Sequence, residues 1–335
     1  MFTYSDYNLT NEWSGDLEVH PRTEFSNMLR YKWDQLHDDS NVFRYKLGNI
    51  RERIIDKKTR YLLQLNPDRG SNRRSPEEIA NLNQPFNTSK FNFTKVSPQE
   101  IMFDLVDEQN ATDLHRVIVN VSPISRYHSL LCPSVNKCLP QVATKESLKL
   151  AIDMFFLFQD RDLRIGFNSL CAMASVNHLH YHLLMENNTL PVEIAKCNHI
   201  KGPLYIFDDS YLAPGFCFQI KHKHSIPQLA EDVHKLVRYL HENNVPYNIL
   251  VTRGQGMGWE GTDEIVRVVV WPRRGSYVVK LLGAFNVAVC ELSGWFPVYN
   301  DDDFENLRTE DIEIEIKKWR PEAFDILCQE IKSLF

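Results

Sequence analysis

The chain has 335 residues, 43% of them hydrophobic, and a formal net charge of −6. It exceeds the usual size of one hydrophobic core, so two domains or one duplicated domain is predicted. The acidic balance excludes a protein held to nucleic acid by a basic surface, because that affinity comes from neutralising phosphates; a local cationic pocket for a small anion stays compatible.

The first residues, MFTYSDYNLTNEW, lack a basic segment leading into an apolar one, and no uncharged apolar run reaches about 18 residues. The expectation is a cytosolic protein with no membrane partner. Seven cysteines without a C-x-x-C pair suit reduced thiols rather than a disulfide framework or a zinc site.

Residues 1–22 are polar and weakly periodic and predict a loosely ordered tail. Residues 25–36 carry apolar positions at helical spacing, and VFRYKLGNI and TRYLLQLN then read as strands. DRGSNRRSPEEI follows, with Arg69, Arg73 and Arg74. Its plain reading is a solvated connection, and its functional reading is a phosphate or sugar clamp.

Three strands come next, IMFDLV, HRVIVNVSP and HSLLCP. A helix, TKESLKLAIDMFFLF, opens on Thr144 three residues before Ser147 and gathers its apolar positions on one face. The strand RIGFNSLCA leads to NHLHYHLL at residues 177–184. A similar order then recurs: LYIFDD and FCFQIKHK as strands, IPQLAEDVHKLVRYLHE as a helix, then YNILVTRG and VRVVVWP as strands. This predicts an α+β protein, a degenerate internal repeat in which the first copy alone keeps histidines. The boundaries expected are a tail at 1–22, a catalytic half at 23–200 and a degenerate half at 201–335. RGQGMGWEG, with Gly254, Gly256 and Gly258, leads into a strand rather than a helix and therefore reads as a hairpin loop, not a phosphate cradle.

In a strand, side chains alternate faces, so His178, His180 and His182 are expected on one open side, about 7 Å apart between successive Cα atoms. Leu179, Tyr181 and Leu183 would anchor the other side in the core. Three imidazoles suit either a zinc ion with an open coordination position or a histidine nucleophile attacking phosphorus beside hydrogen-bond donors. The bland alternative is satisfied polar groups on an exposed strand. Asn168, Ser169 and Ser175 precede the motif and supply neutral donors and acceptors rather than acidic or cysteine ligands, which favours phosphoryl chemistry over a metal.

HLHYHLL resembles the histidine-triad motif, three histidines alternating with apolar residues, and FNSLCAMASVNHLHYH resembles its lead-in of Asn, then Ser-Val-x-His. FRYKLGNIRER, LQLNPDRGSNRR, QPFNTSKFNFTKVSPQEIMFDL, VNVSPISRYHSLLCP, LPVE, VRVVVWPRR and AFNVAVCELSG extend the match over residues 24–300. Together they resemble the GDP-D-glucose phosphorylase family, a branch of the histidine-triad superfamily related to plant GDP-L-galactose phosphorylases and galactose-1-phosphate uridylyltransferases. The resemblance implies a histidine-triad-like antiparallel sheet with packed helices, present as two degenerate copies. It also implies a nucleotidyltransferase acting on GDP-hexose and inorganic phosphate with no cofactor and no metal. His180 would be the guanylylated nucleophile, His182 would bond a phosphate oxygen, and His178 would support the orientation of its neighbour. Asn168 and Ser175 match nucleotide or phosphate contacts. The uridylyltransferases and plant enzymes carry glutamine where this chain has His182, which leaves a hydrolase open as an alternative. A GDP-binding module is the reading from outside the enzymes. Arg267, Arg273 and Arg274 flank the second-copy strand and are expected in solvent rather than on the phosphates. Neither the residues that read guanine nor the oligomeric state follow from the sequence.

Overall fold

The computed structural model describes residues 1–13, 22–39, 41–48, 50–73, 77–258, 264–276 and 283–335. In chain order these contain β1 (Phe2–Tyr4), α1 (Glu24–Asp39), β2 (Arg51–Ile54), β3 (Leu62–Leu65), α2 (Pro67–Asn72), β4 (Ile101–Asp107), β5 (Leu114–Val119) and β6 (Ser129–Cys132). Then come α3 (Lys145–Phe158), β7 (Leu163–Asn168), β8 (Tyr181–Met185), α4 (Pro191–Ile194), β9 (Cys197–Lys201), β10 (Leu204–Phe207) and β11 (Phe216–Ile220). The remainder is α5 (Ile226–Glu242), β12 (Tyr247–Gln255), β13 (Glu264–Pro272), α6 (Val289–Leu292), β14 (Trp295–Val298), α7 (Asp301–Asn306), α8 (Thr309–Lys317) and α9 (Phe324–Lys332).

Among the described residues one sheet runs β1-β4-β5-β6-β8-β7-β12-β13-β11-β10-β9, and a smaller one runs β14-β3-β2. The large sheet is antiparallel except where β1 joins β4. Its middle is a near-palindrome: β6-β8-β7 on one side of the centre answers β11-β13-β12 on the other. β7 and β12 meet there, with Asn248 opposite Asn168.

Strand alternation splits the buried residues between the two faces. Leu179, Tyr181, Leu183, Ile249, Val251, Val268 and Val270 join one core with α1, α3 and α5. Leu184, Leu250, Val269 and Trp271 join another with α6, α8 and the small sheet. α3 starts where the sequence places it, since the Thr144 hydroxyl accepts the Ser147 N–H at 3.1 Å and the Ser147 hydroxyl accepts the Thr144 N–H at 2.9 Å.

Several expectations shift. Of the loose tail expected over residues 1–22, residues 14–21 lie outside the described set, whereas the first thirteen are docked: β1 extends the sheet and Trp13 is fully buried against Phe155. Residues 43–45 form a bend and 46–48 carry no regular element, and the strand starts later, at Arg51. The stretch expected to be a plain loop begins as α2, where Pro67 at the first position and an Asn66 cap accepting the Arg69 N–H at 3.1 Å favour a helix. β12 and β13 form the predicted hairpin, with Gln255 opposite Glu264, although residues 259–263 lie outside the described set.

Candidate active site

The histidine segment departs from a regular strand in an informative way. Ladder pairing of β8 begins at Tyr181, after two of the three histidines. Gln141 replaces the missing strand partner. Its Oε1 accepts the His180 N–H at 2.8 Å, and its Nε2 donates to the His180 carbonyl at 3.0 Å and to the Asn168 carbonyl at 2.9 Å. One buried amide thereby fixes the backbone of His180 against β7.

His180 and His182 line an open cleft; Arg69, Arg73, Asn168 and Ser175 line it too. His178 does not. Its ring is fully buried, stacked on Phe93 and edged by Phe86, and its Nδ1 accepts the Phe93 N–H at 3.0 Å. The expectation of three imidazoles on one open face therefore fails at His178, because the chain bends before the ladder starts and the 84–97 loop covers that ring. Leu179, Tyr181 and Leu183 are core residues as the alternation requires.

Each ring's proton can be placed by its partners. His180 Nδ1 lies 2.8 Å from the His178 carbonyl, which can only accept, so Nδ1 carries the proton. Burial lowers the His180 pKa to about 4 against the weaker opposing pull of that carbonyl. The ring is neutral near pH 7, and its lone pair sits on Nε2.

His182 is set by a histidine on the neighbouring strand. His128 Nδ1 accepts the Ile124 N–H at 2.9 Å, and burial, aided by the Arg69 charge, holds the His128 pKa well below the usual range. A neutral ring that accepts at Nδ1 carries its proton on Nε2, 3.0 Å from His182 Nδ1. His182 therefore accepts at Nδ1 and keeps its proton on Nε2. Asn120 Nδ2 also lies 3.1 Å from His128 Nε2, but both are donors, so that contact adds no bond. A nucleophilic nitrogen and a neighbouring N–H donor are the two groups an in-line displacement at phosphorus uses.

Arg69 and Arg73 approach from α2 and its C-terminal cap. Asn66 Nδ2 ties this element to the carbonyls of Pro123 and Ile124 at 3.2 and 3.3 Å, and the Arg69 guanidinium donates to the Ser122 carbonyl. A Cβ on Gly70 would stand 2.9 Å from Tyr299 Cβ, so glycine lets α2 lie this close to the wall. The Arg73 guanidinium stands 6.0 Å from the Tyr299 ring centre. Arg74 lies outside the described residues. The Asn168 Oδ1 accepts from Asn248 Nδ2 at 2.6 Å and from the Val289 N–H at 3.1 Å, which fixes the amide at the cleft wall. Ser175 holds the 77–85 segment through its carbonyl, which accepts the Glu77 N–H at 2.9 Å.

Profiles described as GDPGP1-like, N-terminal domain and GDPGP1-like, C-terminal domain match residues 24–184 and 208–319. The chain is 34% identical over 328 residues to GDP-D-glucose phosphorylase 1 of Danio rerio, covering 95% of this chain and 93% of that one. The chain belongs to the GDPGP1-like family. The human GDP-D-glucose phosphorylase 1 is 35% identical over 86% of this chain and 77% of its own. In fold this GDPGP1-like protein is similar to yeast Ap4A phosphorylase Apa2 in complex with Ap4A, at TM-score 0.57 and 15% identity, covering 88% of this chain and 96% of that one. The expected α+β architecture, a mostly antiparallel sheet with packed helices, is the one found.

Two residues that organise the GDPGP1-like site were not singled out from the sequence, His128 and Gln141. His128 carried a signal, a histidine opening the apolar run HSLLCP. Gln141 carried none, because a glutamine between two elements gives no hint of bonding to a backbone 39 residues away. Arg267 and Arg273, expected in solvent, are buried: Arg267 donates to the carbonyls of Gln255, Val192 and Ala195, and Arg273 lies over the Trp319 ring.

Proposed function

We propose that this protein splits GDP-D-glucose by phosphorolysis in two displacements. His180 Nε2 attacks the α-phosphorus, the bond from that phosphorus to the bridging oxygen breaks, and glucose 1-phosphate leaves. Inorganic phosphate then attacks the guanylyl-histidine, releasing the imidazole and forming GDP. The observation that carries this reading is the His180 Nδ1 hydrogen bond to the His178 carbonyl. It leaves the lone pair on Nε2, and the same N–H can balance the charge that the ring gains when Nε2 is guanylylated. His182 Nε2–H is the donor for a phosphoryl oxygen, and Arg69 and Arg73 supply positive charge for the diphosphate. Asn168 and Ser175 are its neutral contacts, and the backbone of His178 is the orienting part of the third histidine. The free thiols and a described chain in which no helix is long and apolar enough to cross a membrane suit action in the cytosol.

The test is to incubate the protein with GDP-glucose labelled at the α-phosphorus and to isolate it. Acid-labile, base-stable label is expected on the protein, absent from His180→Asn and discharged as GDP by phosphate. GMP released equally fast with and without phosphate would make the protein a hydrolase. Tight GDP binding with no label and no turnover would make it a binding module.

A further inference from the structure

We infer that the cavity beside Arg273 is a second binding site, one for a small organic monocarboxylate with a flat apolar body. Four arginines among the described residues are almost fully buried, Arg164, Arg253, Arg267 and Arg273. The first three are compensated. Arg164 and Arg253 share the Glu193 carboxylate, and Arg267 places Nε, Nη1 and Nη2 on carbonyl oxygens. Arg273 is the exception: Nε and Nη1 donate to the Arg274 and Val287 carbonyls, whereas the buried Nη2 has no hydrogen-bond partner. Burial lowers its pKa to about 9, against a weaker opposing pull from the Glu291 charge, so it stays a cation near pH 7. A buried cation with a spare N–H calls for an acceptor that carries negative charge.

Such an acceptor has room. Arg273 lines a cavity between the chain after β10, the end of β13 and the turn from α8 to α9, and this cavity shares no residue with the catalytic cleft. Phe207, Tyr211, Trp319 and Phe324 give it aromatic walls, and the Trp319 ring centre lies 4.5 Å from the central carbon of the guanidinium. A flat ring can pack on these walls while its carboxylate meets Arg273. The other charges of the lining disfavour a phosphate. Exposed Asp209 and Asp325 offset exposed Lys317 and Arg320, and half-buried Asp208 is taken up by the Ser210 N–H and hydroxyl. Arg273 therefore offers one unmet positive charge, which a monocarboxylate satisfies and a dianion exceeds.

The experiment titrates benzoate, and separately its neutral counterpart benzamide, into the full chain, following binding by ligand-observed NMR and the unfolding midpoint. Benzoate is expected to bind the natural protein and raise its midpoint, with an affinity roughly tenfold or more above that of benzamide, as for charged hydrogen bonds in general. Arg273→Met keeps an unbranched apolar stem and should lose that preference, whereas Arg69→Met, in the catalytic cleft, should bind benzoate as the natural protein does. Leu212→Trp adds an indole to the cavity lining and leaves the guanidinium in place. It should lose benzoate as well, and it serves as the test if Arg273→Met does not fold. The inference is overturned if benzoate binds no better than benzamide, or if a folded Leu212→Trp binds it as tightly as the natural protein. Loss in Arg69→Met but not in Arg273→Met would overturn it by putting the anion in the cleft, and displacement of benzoate by an equal concentration of inorganic phosphate would overturn the monocarboxylate class.

Discussion

The two copies of the fold put opposite chemistry at one position. α3 ends at Phe158 five residues before β7 opens at Leu163, and α5 ends at Glu242 five residues before β12 opens at Tyr247. The ladders set Leu163 opposite Met185 and Tyr247 opposite Pro272. Counting back from Met185 and from Pro272 makes His182 equivalent to Val269, and His180 to Arg267. In the first copy the position holds a neutral imidazole beside an open cleft. In the second it holds a buried guanidinium whose donors end on backbone carbonyls around α4.

The covers differ in the same sense. α6 lies over the first copy, with the Val289 N–H on Asn168 and a Val289 methyl carbon where a Cβ on Gly166 would stand, 2.7 Å away. α4 lies over the second, and its Glu193 is clamped by Arg164 at 2.7 Å, Arg253 at 3.3 Å and the Thr252 hydroxyl at 2.8 Å, all buried. In each short helix the glutamate accepts the N–H of the residue just before the helix, Leu190 at 3.0 Å and Ala288 at 2.9 Å. The contrast is between an open position and a filled one: where the first copy sets His180 on a cleft, the second sets a guanidinium whose N–H groups are taken up by peptide carbonyls.

The sharpest way to test that contrast is to remove His180 from the open cleft and Glu193 from the filled side. His180→Asn should lower turnover by about 10⁴-fold or more, as removal of a covalent nucleophile does, with the unfolding midpoint nearly unchanged. On the filled side of the sheet, Glu193→Ala should leave activity per folded molecule as it was and cost about 3–5 kcal/mol of stability, because buried Arg164 loses its counter-charge and Arg253 keeps only Glu264. Denaturant unfolding and single-turnover rates on both variants decide it; a Glu193 variant that keeps its stability would mean that the buried network contributes little.

A smaller effect separates His182 from His180 within the active copy. Replacing His128 with Phe removes the donor that fixes the His182 proton on Nε2. The rate should fall about 10²-fold, the usual loss of one well-placed donor. His128→Gln, whose amide can still donate, is expected between the two. Equal rates for Phe and Gln at equal stability would show that His128 acts by packing alone.

The sequence made the active copy more legible than the silent one, and the reason is local. Alternation in HLHYHLL put Leu179, Tyr181 and Leu183 in the core correctly, because period two is a property of the strand itself. Thr144 and Ser147 marked the start of α3 for a similar reason, since a cap is read from four residues. What escaped was set by contacts between distant residues. His178 turns away because Phe93 and Phe86 cover it, and Gln141 serves as a strand partner to His180. Arg267 and Arg273 looked like solvated charges because their carbonyl partners and the Trp319 ring lie far along the chain or carry no side-chain signal. Arg69 and Arg73 showed the reverse: a polar, glycine-bearing stretch that reads as loop becomes a wall of the cleft through α2.

The smallest expected effect, and the one that tests burial itself, is in the acid limb. Attack requires neutral His180, so competence is present above its pKa and lost as pH falls through it. With burial holding that value at about 4, transfer of label from GDP-glucose to the protein, measured without phosphate, should persist at pH 5, where an ordinary histidine of pKa near 6.5 would be mostly protonated. Stability moves in the same window. His128, His178 and His180 are buried with lowered pKa values, so the unfolded chain takes up more protons than the folded one as pH drops below about 6.5, and their contribution declines toward pH 4. Glu186 works against this, since burial raises its carboxyl to about 7 and favours the folded state as pH falls. Circular dichroism at each pH therefore has to accompany the labelling. Loss of label near pH 6.5 with the fold intact would mean that His180 meets water far more than its surroundings imply; loss only with unfolding, or near pH 4, fits a ring kept neutral by the same burial that deprives Arg267 of a site.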